Sequence, residues 1–388
     1  METNKKDKIY KIIMLIFITA IITFMITSVG MHNYFVNMDI SKDSEDITRK
    51  LEKVKQKLEE YYIGDIDKEK LQESAIKGYV SGLEDEYTEY LTKYEYEDLI
   101  MGVTGDYVGI GVYMYQNNDG NIVVLMPIED SPAEEAGLKS GDIIVSINGE
   151  SCLEMDINVA SSKIKGKEKT TVDLEILRGT ETIDMTIERR TVEIKDSNSK
   201  VLEGNIGYID LSTFDEKCSN NIKKYLEDFE GEGIKSVIID LRNNTGGVVT
   251  EAIDFAELFI EKGNVIMRSY NKAGKETVIT SDSKRTFDMK VVILVNEYSA
   301  SSTEIVTAAL KDNNVATIVG TTTYGKGVMQ EIIPMFEGKG ALKVTIEEFK
   351  TPNGDKINEV GITPDIEVEN NPETKEDEQL QKAIETLK

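Results

Sequence analysis

The sequence predicts a multidomain α/β protein: a helical lead-in, a small β-rich module and a larger domain of alternating strands and helices. Three observations carry this. Apolar residues recur every three or four positions between 41 and 100, five short strands broken by glycine fill 102 to 190, and beyond 200 apolar strands alternate with helices. A chain of 388 residues can hold two or three domains, each with ample core.

The first element precedes all of these. From Ile12 to Val29 the run IIMLIFITAIITFMITSV carries no charge. At about 1.5 Å per residue it is long enough to cross a hydrocarbon core as a helix. Lys5, Lys6, Lys8 and Lys11 precede it, and Asp39, Asp43, Glu45 and Asp46 follow. That bias keeps residues 1–11 as a cytoplasmic tail, makes 12–30 a single-pass anchor in the cell membrane and puts the rest outside. A cleaved signal peptide is the competing reading, but the apolar core is long and no A-x-A-like site follows.

Residues 31–100 read as a helical stalk, with Ile47, Leu51, Val54, Leu58 and Tyr61 on one helix face. GLEDEY and TEYL place a helix end at Gly82 and a new element near Thr88. Residues 101–190 form the β module: DYVGIGVYMY, NIVVLMPI, DIIVSING, TTVDLEILRG and ETIDMTIERR, with Val172, Leu174 and Ile176 alternating against Asp173 and Glu175. Pro132 opens a short helix that Gly137 ends. Farther on, SVIIDL, VVILVN and ATIVG are β-branched apolar runs typical of strands covered on both faces. The first two lead through RNNTGG and EYSASS into helices, so the sheet is mainly parallel. Sites in such folds lie at turns of this kind.

Composition removes several function classes. A net charge of -26 repels nucleic acid. The one histidine, His32, directly follows the apolar run, which leaves almost no room for a Ser-His-Asp triad or a His-rich metal site. Cys152 and Cys218 alone cannot build a zinc site; they read as buried or free thiols, or as an isolated disulfide. No metal or cofactor is implied.

The stretch EYSASSTEI holds four hydroxyls. Ser301-x-x-Glu304 fits a capping box, yet the same turn exposes a hydroxyl beside backbone N–H groups that could hold an oxyanion. A serine nucleophile without histidine needs a lysine whose pKa is depressed by burial or nearby cations. Lys326, between two glycines in GTTTYGKGVMQ and just after ATIVG, is such a candidate, although G-K-G alone reads equally as a hairpin turn.

Together, NEYSASSTEIVTAALKDNN and ATIVGTTTYGKGVMQ resemble the nucleophile and lysine segments of the carboxyl-terminal processing proteases, the S41 serine peptidases with a Ser-Lys dyad and an embedded PDZ domain. The resemblance implies Ser301 as nucleophile, Lys326 as base and Gln330 as the residue that orients the lysine; on an extended strand positions 326 and 330 share a face. Ser302 and Thr303 stand where Ala and Ser are usual, and the Ser302 N–H is implied as an oxyanion donor. DLRNNTGG resembles the family's D-L-R-x-N-x-G-G, which makes the Gly246 N–H the other donor. TPNG, NEVGITPD and EYTEYL extend the likeness over most of the chain after residue 30.

YVGIGV and SPAEEAGLKSGDIIVSING resemble the PDZ core of secreted proteases. There Val108, Gly109, Ile110 and Gly111 bind substrate: a peptide pairs with the following strand and its terminal carboxylate meets their N–H groups. The implied fold is a ClpP/crotonase-like βα catalytic core at 191–370, the PDZ domain inserted at 101–190, the N-terminal part of the protease domain within 31–100, and a charged C-terminal helix at 371–388. The implied function is a membrane-anchored endopeptidase that captures flexible or C-terminal segments of protein substrates and cleaves them outside the cytoplasmic membrane, without a cofactor. The stalk and the tail PETKEDEQLQKAIETLK could support a homodimer. A non-catalytic PDZ scaffold on a relic protease fold is the rival reading, and acyl-CoA chemistry on a similar superhelix is disfavoured by the extracytoplasmic placement.

Overall fold

The structure is a computed structural model that describes residues 42–117, 119–153, 155–193, 195–370 and 376–388. The apolar run at 12–29 and His32, on which the anchor and its orientation rest, lie outside these residues. No helix among the described residues is long and apolar enough to cross a membrane. The chain divides into two compact units, Met1–Ser74 and Ala75–Lys388.

The described part of the first unit holds helix α1 (Lys42–Tyr61) and the start of α2 (Lys68–Ser81). On α1 the expected stripe is present, but Ile47, Leu51 and Val54 remain exposed. The second unit continues with β1 (Glu89–Thr92) and α3 (Lys93–Thr104). Thr92 caps α3 through a reciprocal box with Glu95. The helix stops at Gly105, whose φ of 70° is left-handed and whose missing Cβ makes room for the Asp215 carboxylate.

The β module follows as β2 (Asp106–Gly109), β3 (Val112–Gln116), β4 (Ile122–Pro127), α4 (Pro132–Glu135), β5 (Ile143–Ile147), β6 (Glu150–Ser151), α5 (Ile157–Ile164), β7 (Thr171–Arg178), β8 (Glu181–Glu188) and β9 (Arg190–Glu193). Its sheet runs β3-β4-β5-β7-β8 with β6 on β5, and β2 pairs separately with β9. Period-two patterning explains why β7 sits as it does: Val172, Leu174 and Ile176 are buried with Ile122, Ile144 and Ile147. Entry and exit strands lie side by side, Asp106 opposite Glu193, which is how a module is inserted without disturbing its host.

The larger domain comprises β10 (Ser197–Leu202), β11 (Ile206–Leu211), α6 (Cys218–Gly231), β12 (Ser236–Asp240), α7 (Val249–Glu257), β13 (Val265–Asn271), β14 (Glu276–Thr280), β15 (Lys290–Val295), α8 (Ser302–Asp312), β16 (Ala316–Gly320), β17 (Val328–Met335), β18 (Gly340–Lys350), β19 (Ile366–Glu367) and α9 (Glu378–Leu387). Strands β11, β12, β15, β16 and β19 are parallel neighbours in that order, with β10 antiparallel at one edge. A second, antiparallel sheet runs β1-β18-β13-β14 with β17 on β18. One face of the parallel sheet buries Phe214, Phe255, Phe259 and Phe287 in successive ring contacts, each ring contributing about 1.5–3 kcal/mol of burial.

The other face is covered by α9, whose Leu380, Ala383, Ile384 and Leu387 pack on Ile238, Val292, Leu294 and Val319. The apolar stripe of the charged tail is therefore used within the chain. Arg242 fastens that helix by a two-pronged pair with Asp377, 2.8 Å on each side, while also binding Asp240 at 2.6 Å. Cys152 and Cys218 are both free and buried, so no disulfide joins them.

Candidate active site

The turn after β15 sorts its four hydroxyls by what surrounds them. Ser299 donates to the Leu241 carbonyl at 2.8 Å, Ser302 to the Gly247 carbonyl at 2.9 Å, and Thr303 to the Asn244 carbonyl at 3.0 Å. All three are fully buried and tie the turn to the loop after β12. Ser301 is the half-buried one, and its hydroxyl is not tied to a carbonyl as the other three are. Its φ of 57° and ψ of -117° are strained for a residue with a Cβ, at about 1–3 kcal/mol, so the surroundings must hold it there.

Glu304 supplies much of that hold. The expected capping box between Ser301 and Glu304 is present: Ser301 N–H donates to Glu304 Oε2 at 2.9 Å, and the Glu304 amide, which donates to the Ser301 carbonyl at 2.8 Å, also faces the Ser301 side chain. The carboxylate does more than cap. Lys326 N–H also reaches Oε2 at 2.8 Å, and Oε1 accepts from Gly325 N–H at 2.8 Å and Thr323 Oγ1 at 2.6 Å. A fully buried carboxylate thus joins the serine turn to the lysine loop. Burial pushes its pKa up, and the four donors oppose that by favouring the ionised form.

The two glycines that flank Lys326 are required by close approach. A Cβ at Gly325 would stand 3.0 Å from the amides of Val360 and Gly361, and one at Gly327 only 2.3 Å from that of Asn358. The NEVG segment therefore lies against the lysine loop. Lys326 Nζ sits 4.7 Å from the centre of the Tyr87 ring. Its pKa falls below the usual lysine range, first through burial and then through the Lys343 cation, against a pull upward from Glu304 and Glu89. Among the described residues no hydrogen bond joins Lys326 Nζ to Ser301 Oγ; the two residues meet through Glu304.

Two expectations change on inspection of the geometry. Lys326 precedes β17 rather than lying in it, and the ladder shifts register between Met329 and Gln330, so the shared-face argument for Lys326 and Gln330 does not apply. Gln330 stands opposite Thr345 on β18, with its Nε2 buried and unpartnered. Gly246 packs against the nucleophile turn, for a Cβ there would stand 2.9 Å from Ser301 Cβ and 3.0 Å from Ser302 N. Its amide, however, donates to Asn244 Oδ1 at 2.9 Å. The next amide, that of exposed Gly247, and the Ser302 amide have no hydrogen-bond acceptor among the described residues.

Within the β module, Val108 and Gly109 are laddered to Thr191 and Arg190 of β9, and the Ile110 side chain is fully buried in the module core. Gly111, at φ 78°, passes so close to Ser131 that a Cβ would not fit. Sequence reasoning did not find the shared-acceptor role of Glu304, nor Asn244 or Tyr87. The Ser-x-x-Glu spacing signals a cap in either case, and nothing local marks Asn244 or Tyr87. No group of three or more metal-ligating side chains is gathered among the described residues.

Comparison with known proteins agrees with this architecture. Residues 205–368 match peptidase family S41, residues 123–178 a PDZ domain, and residues 16–94 the activating protease CtpB N-terminal domain. The chain is 36% identical over 377 residues to a "Probable CtpA-like serine protease" of Staphylococcus aureus, covering 95% of this chain and 75% of that protein. A Staphylococcus epidermidis protein of the same description is 37% identical over 356 residues, 91% of this chain and 71% of the other. The solved photosystem II D1 C-terminal processing protease shares the fold, with a TM-score of 0.50 at 23% identity over 85% of this chain and 89% of that one. On these matches the chain belongs to the S41 serine peptidases, as a CtpA-like protease carrying a PDZ domain.

Proposed function

We propose that this protease cuts flexible protein segments by a Ser-Lys mechanism with Ser301 as nucleophile and Lys326 as base. The observation that carries the proposal is the sorting of the turn: three hydroxyls are tied into structure, and the fourth, on a strained backbone, shares a buried carboxylate with the one lysine of the loop. Lys326 Nζ, lowered in pKa and resting over Tyr87, moves to the Ser301 hydroxyl and takes its proton as Oγ attacks the peptide carbonyl. The buried Gln330 amide is the group that orients the ammonium once formed.

The oxyanion is received by the Ser302 and Gly247 N–H groups. Gly247 takes the role first assigned to Gly246, because the Gly246 amide already has Asn244 as its acceptor. Lys326 returns the proton to the leaving amine, and water then releases the acyl group from Ser301.

Substrate enters by way of the PDZ domain, which holds a C-terminal or flexible segment while the cut is made. The uncharged run at 12–29, with lysines before it and acids after it, supports a membrane anchor and an extracytoplasmic protease. The exposed stripe on α1 supports homodimer formation through that helix. Ser301→Ala and Lys326→Ala should each abolish cleavage of casein while leaving the far-ultraviolet circular dichroism unchanged; cleavage retained in either variant sinks the mechanism.

A further inference from the structure

The loop after β12 ends in two glycines, and nearly every polar group on them is held. The Gly246 N–H donates to Asn244 Oδ1 at 2.9 Å. The Gly246 carbonyl accepts twice, from the Phe214 N–H at 3.0 Å and from Thr213 Oγ1 at 3.1 Å. The Gly247 carbonyl accepts from Ser302 Oγ at 2.9 Å. Among the described residues the Gly247 N–H alone of these groups has no hydrogen-bond partner.

That N–H and the Gly246 carbonyl belong to one peptide group. A trans peptide is planar, so its N–H points opposite to its C=O, and whatever fixes the carbonyl also aims the N–H. The glycines do not fix it themselves: at φ of 102° and 146°, neither has a Cβ to restrict the rotation of the peptide between them. The segment that does the holding is itself anchored. The Phe214 ring is fully buried against Phe255, its carbonyl accepts the Val248 N–H at 2.7 Å, and a Cβ on Gly247 would stand 2.2 Å from that oxygen. On one side Ser212 donates its N–H and its hydroxyl to the Asp196 carbonyl, both at 2.8 Å. On the other the Glu216 N–H donates to the Val103 carbonyl at 2.8 Å.

We propose that Thr213 is a positioning residue for the protease reaction: its hydroxyl, with the Phe214 N–H, holds the Gly246 carbonyl so that the Gly247 N–H faces the oxyanion formed at Ser301. The inference rests on the reading of Gly247 as an oxyanion donor and adds the group that aims it. As Ser301 Oγ bonds to the carbonyl carbon, the π pair moves onto the carbonyl oxygen, and a donor already aimed there stabilises the charge without reorganising. Thr213 acts through the peptide group and not on the substrate. Without its hydroxyl the carbonyl keeps one donor in place of two, and the Gly246–Gly247 peptide spends part of its time turned away.

The test is casein cleavage by the full chain carrying Thr213→Val, Thr213→Ser or Thr213→Ala, with kcat and KM measured across pH. Valine keeps the shape of threonine and removes the hydroxyl, while serine and alanine differ by the hydroxyl alone. One neutral hydrogen bond sets the scale, so kcat should fall about three- to tenfold in Thr213→Val and stand about three- to tenfold higher in Thr213→Ser than in Thr213→Ala. KM should stay within about twofold, since the contact counts only once the oxyanion forms. The rising limb of the pH profile, which belongs to Lys326, should not move. A kcat ratio below about threefold between Thr213→Ser and Thr213→Ala, or between wild type and Thr213→Val at an unchanged Tm, overturns the proposal. So does a shifted limb, or a KM that rises as far as kcat falls, because the change has then spread to the dyad or to substrate binding. Should Thr213→Val lower Tm, the serine and alanine pair decides. Ser301→Ala and Lys326→Ala keep the two readings apart: casein cut by either overturns the dyad itself, whereas an indifferent residue 213 in a protein that both silence overturns only the aiming of the oxyanion donor.

Discussion

Replacing Glu304 with glutamine is the sharpest perturbation of this site, because it changes hydrogen-bond polarity and almost nothing in volume. The carboxylate accepts from four donors: the amides of Ser301, Gly325 and Lys326 and the hydroxyl of Thr323. A carboxamide has one oxygen. In its better orientation that oxygen keeps Ser301 and Lys326, and the NH2 faces Thr323 Oγ1, which already accepts from Ile362 N–H at 2.7 Å and can turn to accept again.

The Gly325 amide then loses its acceptor, at about 1–3 kcal/mol, and the two retained bonds weaken from charge-assisted to neutral, at about 1 kcal/mol each. Removing a buried charge offsets part of this, leaving a loss on the order of 3 kcal/mol. In a protein of this size, with an unfolding entropy of about 2.1 cal/mol/K per residue, that lowers Tm by about 4 °C. Since the chain has no tryptophan, the urea midpoint is best read by far-ultraviolet circular dichroism. The same change loosens the two backbone anchors of Ser301 and Lys326, and kcat on casein should fall about 10- to 100-fold with a smaller change in KM. A Glu304→Gln protein within about 0.5 kcal/mol of wild type and with its kcat intact would refute the claim that this carboxylate holds the site together.

Two further outcomes follow from the same geometry. The Tyr87 ring favours the ammonium form of Lys326 by about 0.5–2 kcal/mol, so Tyr87→Leu lowers that pKa and moves the rising limb of the activity–pH curve down by about 0.4–1.5 units; a limb that stays or rises counts against the contact. Arg242→Ala leaves Asp240 without its buried partner and unfastens α9, a loss of about 3–5 kcal/mol, with new tryptic cleavage at Lys382; an unchanged digest and Tm would show that the Arg242 fork does not carry the tail.

Much of this was legible in the sequence because it was written in short-range periods. The apolar runs SVIIDL, VVILVN and ATIVG read as strands covered on both faces, and they are; the glycines around Lys326 read as a close backbone approach or a hairpin turn, and the close approach is what the structure has. What escaped was set by long-range partners. Whether the Gly246 or the Gly247 amide is free depends on where the Asn244 side chain points, and nothing in NNTGG fixes that. Glu304 reads as a cap because it is one; its bonds to Gly325 and Lys326 come from a loop that only the parallel sheet brings near. The bulge beside Gln330 has no turn residue to announce it. Likewise, the ion pair of Asp98 with Lys165 joins α3 to the β module across 67 residues of sequence, a separation that no local pattern signals.

The pairing of β1 with β18 sets Glu89 beside Lys343, with an ion pair of 2.8 Å between them. Chains are made from the N-terminus, and at about 5–20 residues per second the second strand emerges on the order of tens of seconds after the first. Until then Tyr87 has no sheet to stand on and Lys326 no ring to rest over. A protease closed across so wide a loop is a latecomer by construction: the growing polypeptide carries no edge that can cut until β18 has been made.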